Sequence, residues 1–257
     1  MRSALLSFLL SVGLTVCAQD KIDTDRPDQT ESVVNTPKKY FQAEFGFGKE
    51  NLREGDYDLI HPTFLFKYGL SKRVELRMEG NFLSHYVQLI PNPKTTTALE
   101  PVEVGTRITL FEQKSIRPKA ALLFHLGLPF TSNEYDRQQK IFSSVKLSFQ
   151  HTFSDVFAIG YNIGSEWDGY TGKPTWLYTL SPNFNIGQKW YAYVETFGTV
   201  YKGSWQPALD TGIAFYTSNV TKVDLSGGIG LGRSVLKNYI AFGFSFRIPT
   251  SKKAETK

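Results

Sequence analysis

Read in twos, the chain repeatedly sorts its apolar and polar residues onto opposite faces. In the last such stretch, 238–249, Ile240, Phe242, Phe244, Phe246 and Ile248 fall on one side, and Tyr239, Ala241, Gly243, Ser245 and Arg247 on the other. A period of two is the period of a β-strand. An unbroken face of phenylalanine and isoleucine suits hydrocarbon, and the opposite face suits water or tight polar packing. The strand therefore divides an apolar medium from a polar one. The terminal strand of an outer-membrane barrel has this pattern, with spaced aromatics near its end, and must close on the first strand so that no backbone edge faces lipid. The competing reading is an edge strand of a soluble sandwich.

The same alternation recurs upstream. Residues 40–49 set Phe41, Ala43, Phe45 and Phe47 against Gln42, Glu44, Gly46 and Gly48, and a second run covers 57–68. Residues 73–86 oppose Val74, Leu76, Met78, Gly80 and Phe82 to Glu75, Arg77, Glu79 and Asn81. Further runs span 99–111, 140–151, 156–167, 209–217 and 222–233. In 117–130 both faces are apolar or small, so the lumen side stays open, and 175–186 and 190–201 are weaker cases. With the closing strand the count is twelve, an even number, as bacterial single-chain barrels have. Connections at 69–72, 112–116, 153–155, 187–189 and 218–221 are short. Those at 51–56, 87–98, 131–139, 168–174, 202–207 and 234–237 are mostly longer and alternate with them. Short periplasmic turns and longer external loops predict an all-β fold: a single transmembrane antiparallel β-barrel of about 12 strands with up-and-down topology.

Composition narrows the class. Met1-Arg2, an apolar run over 4–16 and Val16-Cys17-Ala18 ahead of Gln19 describe a secretory signal peptide, cleaved after Ala18. The expected layout is a signal at 1–18, an extended segment at 19–39, the barrel at 40–249 and a periplasmic tail at 250–257, in the outer membrane of a Gram-negative bacterium. No stretch approaches the roughly 20 apolar residues of a spanning helix. The one cysteine, Cys17, lies in the signal, which excludes disulfides and multi-thiolate metal sites from the mature chain. Without Arg2 the 29 basic residues become 28, against 24 acidic ones, and the basic tail reads as a solvated end rather than a nucleic-acid patch. Trp167, Trp176, Trp190 and Trp205 fall at strand ends or in a loop, the level where aromatic belts form.

If the apolar faces meet lipid, a set of charges points inward: Glu44, Lys67, Glu75, Arg77, Glu79, Glu103, Arg107, Lys146, Glu166, Glu195, Asp210, Asp224 and Arg247. A Lys or Arg facing mid-bilayer costs on the order of 2–4 kcal/mol, so the sorting is energetic. The mixture of signs fits cross-strand pairing in a filled lumen as well as a solute path. Keeping Glu195 inward also brings in Tyr191, Tyr193, Phe197 and Tyr201, which could stack against an aromatic or sugar-like solute or simply fill space. The candidate solute path is Glu44, Glu75, Arg77, Glu79, Glu103, Arg107, Glu195, Asp210, Tyr191 and Tyr193. His61, His85, His125 and His151 show no close metal-ligand spacing, so no metal or cofactor is expected. Ser148 and His151 are an odd number of residues apart, which puts them on opposite faces and argues against a lipid hydrolase of the kind some twelve-stranded barrels form.

Thr24-Asp25-Arg26-Pro27-Asp28-Gln29-Thr30-Glu31-Ser32, followed by Tyr40-Phe41-Gln42-Ala43-Glu44-Phe45-Gly46-Phe47, resembles the opening of the "putative MetA-pathway of phenol degradation" family. Tyr68-Gly69-Leu70-Ser71-Lys72-Arg73-Val74-Glu75-Leu76-Arg77 is similar to that family's first short turn. The likeness covers most of the chain in layout, these two segments specifically, and departs from the pattern at Glu100-Pro101, where such proteins usually carry a Gly-Asp pair. The resemblance implies a transporter-like outer-membrane barrel that passes small solutes, aromatic ones included. It also points to a plug or gate formed by Asp25, Arg26 and Asp28, the competing reading being a disordered periplasmic leader. In the plug arrangement Arg26 pairs with inward acids, and Asp25 or Asp28 with inward bases such as Arg77 or Arg107. The expected function is a passive channel. A structural or adhesive barrel with a filled lumen is the alternative, and a lipid-modifying enzyme comes behind both. Expected partners are outer-membrane lipid, the solute, and the barrel-assembly machinery through the closing strand.

Overall fold

The computed structural model describes residues 21–89, 91–132 and 140–251. The expected signal peptide, part of the 131–139 loop and most of the tail lie outside them. Thirteen antiparallel strands form one sheet: β1 (Tyr40–Leu52), β2 (Tyr57–Gly69), β3 (Val74–Val87), β4 (Lys94–Leu99), β5 (Val102–Phe111), β6 (Lys119–Leu128), β7 (Phe142–Thr152), β8 (Phe157–Trp167), β9 (Thr175–Ile186), β10 (Trp190–Tyr201), β11 (Ser204–Ser218), β12 (Thr221–Gly230) and β13 (Leu236–Pro249). Each strand pairs with the next in sequence, except that β4 pairs with β3 alone and β3 pairs directly with β5, and β13 pairs with β1 from Tyr40↔Pro249 to Leu52↔Leu236. That seam closes the barrel and leaves twelve strands in the wall with no free edge.

The thirteenth strand corrects the expected open loop at 87–98. Lys94–Leu99 folds back on the end of β3, with Thr95, Thr96 and Thr97 opposite Tyr86, His85 and Ser84. β-Branched threonines make good strand once an edge is on offer. A second correction concerns 202–207. β11 starts at Ser204, and the connection is only Lys202 and Gly203, both at positive φ, which matches the twist of a two-residue hairpin. The connection between β5 and β6, expected to be short, conversely runs over 112–118, so long and short connections alternate only in part.

Side-chain burial is inverted relative to a water-soluble domain. The largest fully buried side chains include Arg107, Lys67, Glu44, Glu75 and Glu195, whereas Phe242, Phe244, Ile240, Ile213 and Leu225 are exposed on the outer surface. Phe45 stacks on Phe244 and Phe47 on Phe242 across the closing seam, with ring centroids 5.0 and 5.2 Å apart. Strand β6 resolves the ambiguous run: Leu123 and His125 are buried inside, and Phe124 is exposed outside. Both Tyr40 and Pro249 lie at the rim we call lower, and β1 rises from it.

Candidate functional site

A closed polar tube leaves backbone donors of any chain inside it in need of partners. Residues 21–39 thread this tube as a loop that enters and leaves at the lower rim. Ile22 N–H donates to the carbonyl of Asn219 in the β11–β12 turn, and Lys39 N–H to that of Gly69 at the lower end of β2. Between these anchors the segment has no continuous β partner, and wall side chains serve instead. Glu44 accepts from the N–H groups of Asp25 (3.0 Å) and Arg26 (3.1 Å), Glu195 from that of Gln29 (2.7 Å), and Glu75 from that of Thr36 (2.5 Å). Asn162 accepts from Glu31 N–H at 2.7 Å and donates to the Glu31 carbonyl at 3.3 Å.

Asp25 fastens the two legs of the loop. Its carboxylate meets Lys67 (3.0 Å), Arg77 (2.8 Å) and Arg107 (3.0 Å) on three wall strands and accepts the Ser32 N–H of the returning leg at 2.8 Å. Burial opposes its ionisation, but Arg107, Lys67 and Arg77 outweigh burial and hold it well below the usual carboxylate range. Glu31 is clamped similarly by Arg77 (2.8 Å) and Lys146 (3.3 Å). Burial alone would raise its pKa; the cations bring it down to about 2. Arg26 reaches the other side of the lumen and pairs with Asp224 at 2.9 Å.

The wall is shaped for that arginine. Gly46 and Gly243 face each other across the closing seam. A Cβ would come within 2.2 Å of an Arg26 guanidinium nitrogen at Gly46, and within 2.4 Å of its Nε at Gly243. At the tip of the loop Tyr191 and Ser181 donate to the Asp28 carboxylate at 3.0 and 3.2 Å, and Tyr193 donates to the Pro27 carbonyl at 3.2 Å. Tyr193 and Tyr239 also donate to Asp210.

The structure thus brings Glu44, Glu75, Arg77, Arg107, Glu195, Tyr191 and Tyr193 onto the threaded segment, and Asp210 just behind it. The two tyrosines are not a free stacking ladder, because both hydroxyls are engaged with the loop. Glu79 and Glu103 stand apart. They are direct cross-strand neighbours, and with His125 their ligand atoms come within 4.8 Å of one another. Arg77 Nε donates to His125 Nε2 at 3.0 Å, which places the imidazole proton on Nδ1, on the side of Glu79. Any cation there would be held by the two carboxylates. Three strands supply this trio, so linear spacing could not show it. Asn162, Ser181 and Lys222, whose ammonium donates to the Arg26 carbonyl at 2.6 Å, were also missed. The inward glycine pair Gly46 and Gly243 was the legible signal for a docked side chain. Ser148 is buried inside and His151 stacks outside on Tyr161 at 6.0 Å.

Three cavities flank the loop. One of about 360 Å³ opens below it, lined by Asp155, Asn185, Tyr216 and Lys222. Two others of about 540 and 430 Å³ lie above, lined by Glu79, Glu103 and Phe142 in one case and by Glu50, Asp58 and Tyr239 in the other.

The model of the family described as "Putative MetA-pathway of phenol degradation" matches residues 24–248. The chain belongs to this family. A search of curated proteins finds no match. Among solved structures the chain is similar in fold to the COG4313 outer membrane channel from Pseudomonas putida F1. The TM-score is 0.66 at 8% identity, over 89% of this chain and 100% of that one. It is also similar to the KdgM porin in complex with disordered oligogalacturonate, with a TM-score of 0.56 at 8% identity over 80% and 98%. At such identity the family member shares a fold with these two and no assignable residues.

Proposed function

We propose that this family member is a passive outer-membrane channel for small hydrogen-bonding solutes, hydroxylated aromatics among them, with its own residues 21–39 as a plug. The lower rim is then periplasmic and the upper rim extracellular. The observation that carries this reading is the polar seating of the loop. Apart from the buried side chains of Ile22 and Val33, its contacts with the wall are mostly ion pairs and hydrogen bonds, and cavities already lie on both sides of it. A packed apolar core could not open without leaving a void, whereas a charged lumen refills with water. The COG4313 relative in fold is described as an outer membrane channel, which supports the same reading. Phe142 and Tyr239 set aromatic rings among the carboxylates of the extracellular cavities.

One specific observation favours the alternative of a structural barrel. The segment satisfies so many wall groups that it could be permanent filling. Planar-bilayer recordings and liposome swelling with small neutral and aromatic solutes separate the two. Conductance is expected to rise when residues 19–36 are deleted, and the deleted form should admit solute. Equal conductance in both forms argues against a plug. A deleted form that admits nothing would establish the structural barrel.

A further inference from the structure

We propose that solutes cross the plugged barrel past the side chain of Asp28, which forms the narrowest point of the path; this rests on the channel reading above. The cavities locate the partition. Asp23, Thr24, Thr30 and Ser32 border only the periplasmic cavity, while Asp25, Arg26, Pro27 and Gln29 border only the extracellular ones. Among the described plug residues, Asp28 borders all three cavities and Glu31 borders the periplasmic one and one extracellular one. The barrier between the two sides is therefore one residue thick at two points.

Those two points differ in what holds them. Glu31 is fixed by two cations on its carboxylate and by Asn162 on both sides of its backbone. Asp28 makes no direct ion pair among the described residues: its carboxylate accepts from the neutral hydroxyls of Tyr191 and Ser181, and Lys222 attracts it only from farther off. Hydrogen bonds to hydroxyls exchange with water at little net cost, whereas a buried ion pair resists separation. The Asp28 side chain is thus the part of the partition free to swing, and a passing solute meets a carboxylate, a phenol hydroxyl and the Gln29 side of the tip. That lining suits small neutral or cationic hydrogen-bond donors and disfavours anions.

The test uses the full mature chain in planar bilayers under a KCl gradient. A positively charged methanethiosulfonate reagent is expected to lower the current of the Asp28→Cys variant severalfold. It should leave the unsubstituted protein unchanged, along with Lys173→Cys, an exposed position in the β8–β9 loop. Asp28→Asn, which keeps the size of the side chain, is expected to lower the cation-over-anion permeability ratio severalfold and serves if the cysteine variant fails to fold. Unmodified current in Asp28→Cys, or an unchanged ratio in Asp28→Asn, would overturn the assignment. So would a native chain that is silent while the form lacking 19–36 conducts, although the channel reading would then survive. If neither form conducts, the channel reading itself fails.

Discussion

Asp25 and Asp28, three positions apart on one segment, meet opposite surroundings. Asp25 sits among three cations, and its carboxyl stays ionised. The cation that pulls most on Asp28 is Lys222, with Tyr191, Tyr193, Tyr216 and Glu195 also facing it. Burial pushes its pKa up to about 7, against the pull of Lys222, Tyr191 and Ser181. An undocked segment in water would return it to about 4. Between those values the docked plug holds one more proton than the free one, so docking is strongest below pH 4 and weakens as pH rises towards 7. Asp25 and Glu31 shift the other way and are ionised, docked or free, above about pH 5, so they add no slope in this window. Open-channel frequency is therefore expected to climb from pH 4.5 to pH 7.5, on the order of tenfold per pH unit at most. Asp28→Asn should show a shallower rise over the same range. Parallel profiles in the two proteins would remove Asp28 from the account.

At the scale of elements, plug and wall are complementary in shape as well as charge. The slot over Gly46 and Gly243 admits the Arg26 guanidinium and nothing larger than hydrogen on the wall side. Gly46→Ala should expel that guanidinium and break its pair with Asp224, with little change to the barrel, because the atoms in the way are mostly side-chain ends. Losing one partner of a buried pair costs on the order of 3 kcal/mol, and the two routes to that loss cannot add. Gly46→Ala and Arg26→Ala should each raise the frequency of opening, and the double variant should rise no further than either alone; additive effects would separate slot from arginine. The strands themselves were legible because each carries its own period of two. Strand β4 was not, since Lys94–Leu99 alternates nothing and becomes strand only because β3 runs on past its pairing with β5 and offers it an edge. The site was legible in part. Inward charges follow from the alternation, but which of them meet depends on register between strands far apart in sequence. Hence the trio of Glu79, Glu103 and His125 and the Asn162 clasp on Glu31 appear only in three dimensions.

For the molecule as a whole, the deciding property is the inversion of inside and outside, with Glu75 and Arg107 fully buried in the lumen and Phe242 and Ile240 on the surface. In water such an exterior would drive association; in a bilayer it is the ordinary low-energy arrangement. The energy of misplacing a charge on that exterior should depend on depth, which a soluble sandwich gives no reason to expect. Phe244 lies well inside β13, whereas Ile248 is next to its end, and the two are comparably exposed at 43% and 49%. Phe244→Arg in phospholipid vesicles is expected to lose about 2–4 kcal/mol of folding free energy, and Ile248→Arg no more than about 1 kcal/mol, because the longer route to water is the costly one. Reversible urea unfolding followed by tryptophan fluorescence measures both. Equal losses at the two positions would mean that no hydrocarbon slab surrounds this wall, and a large loss at Ile248 with none at Phe244 would reverse the depth assigned to the closing strand.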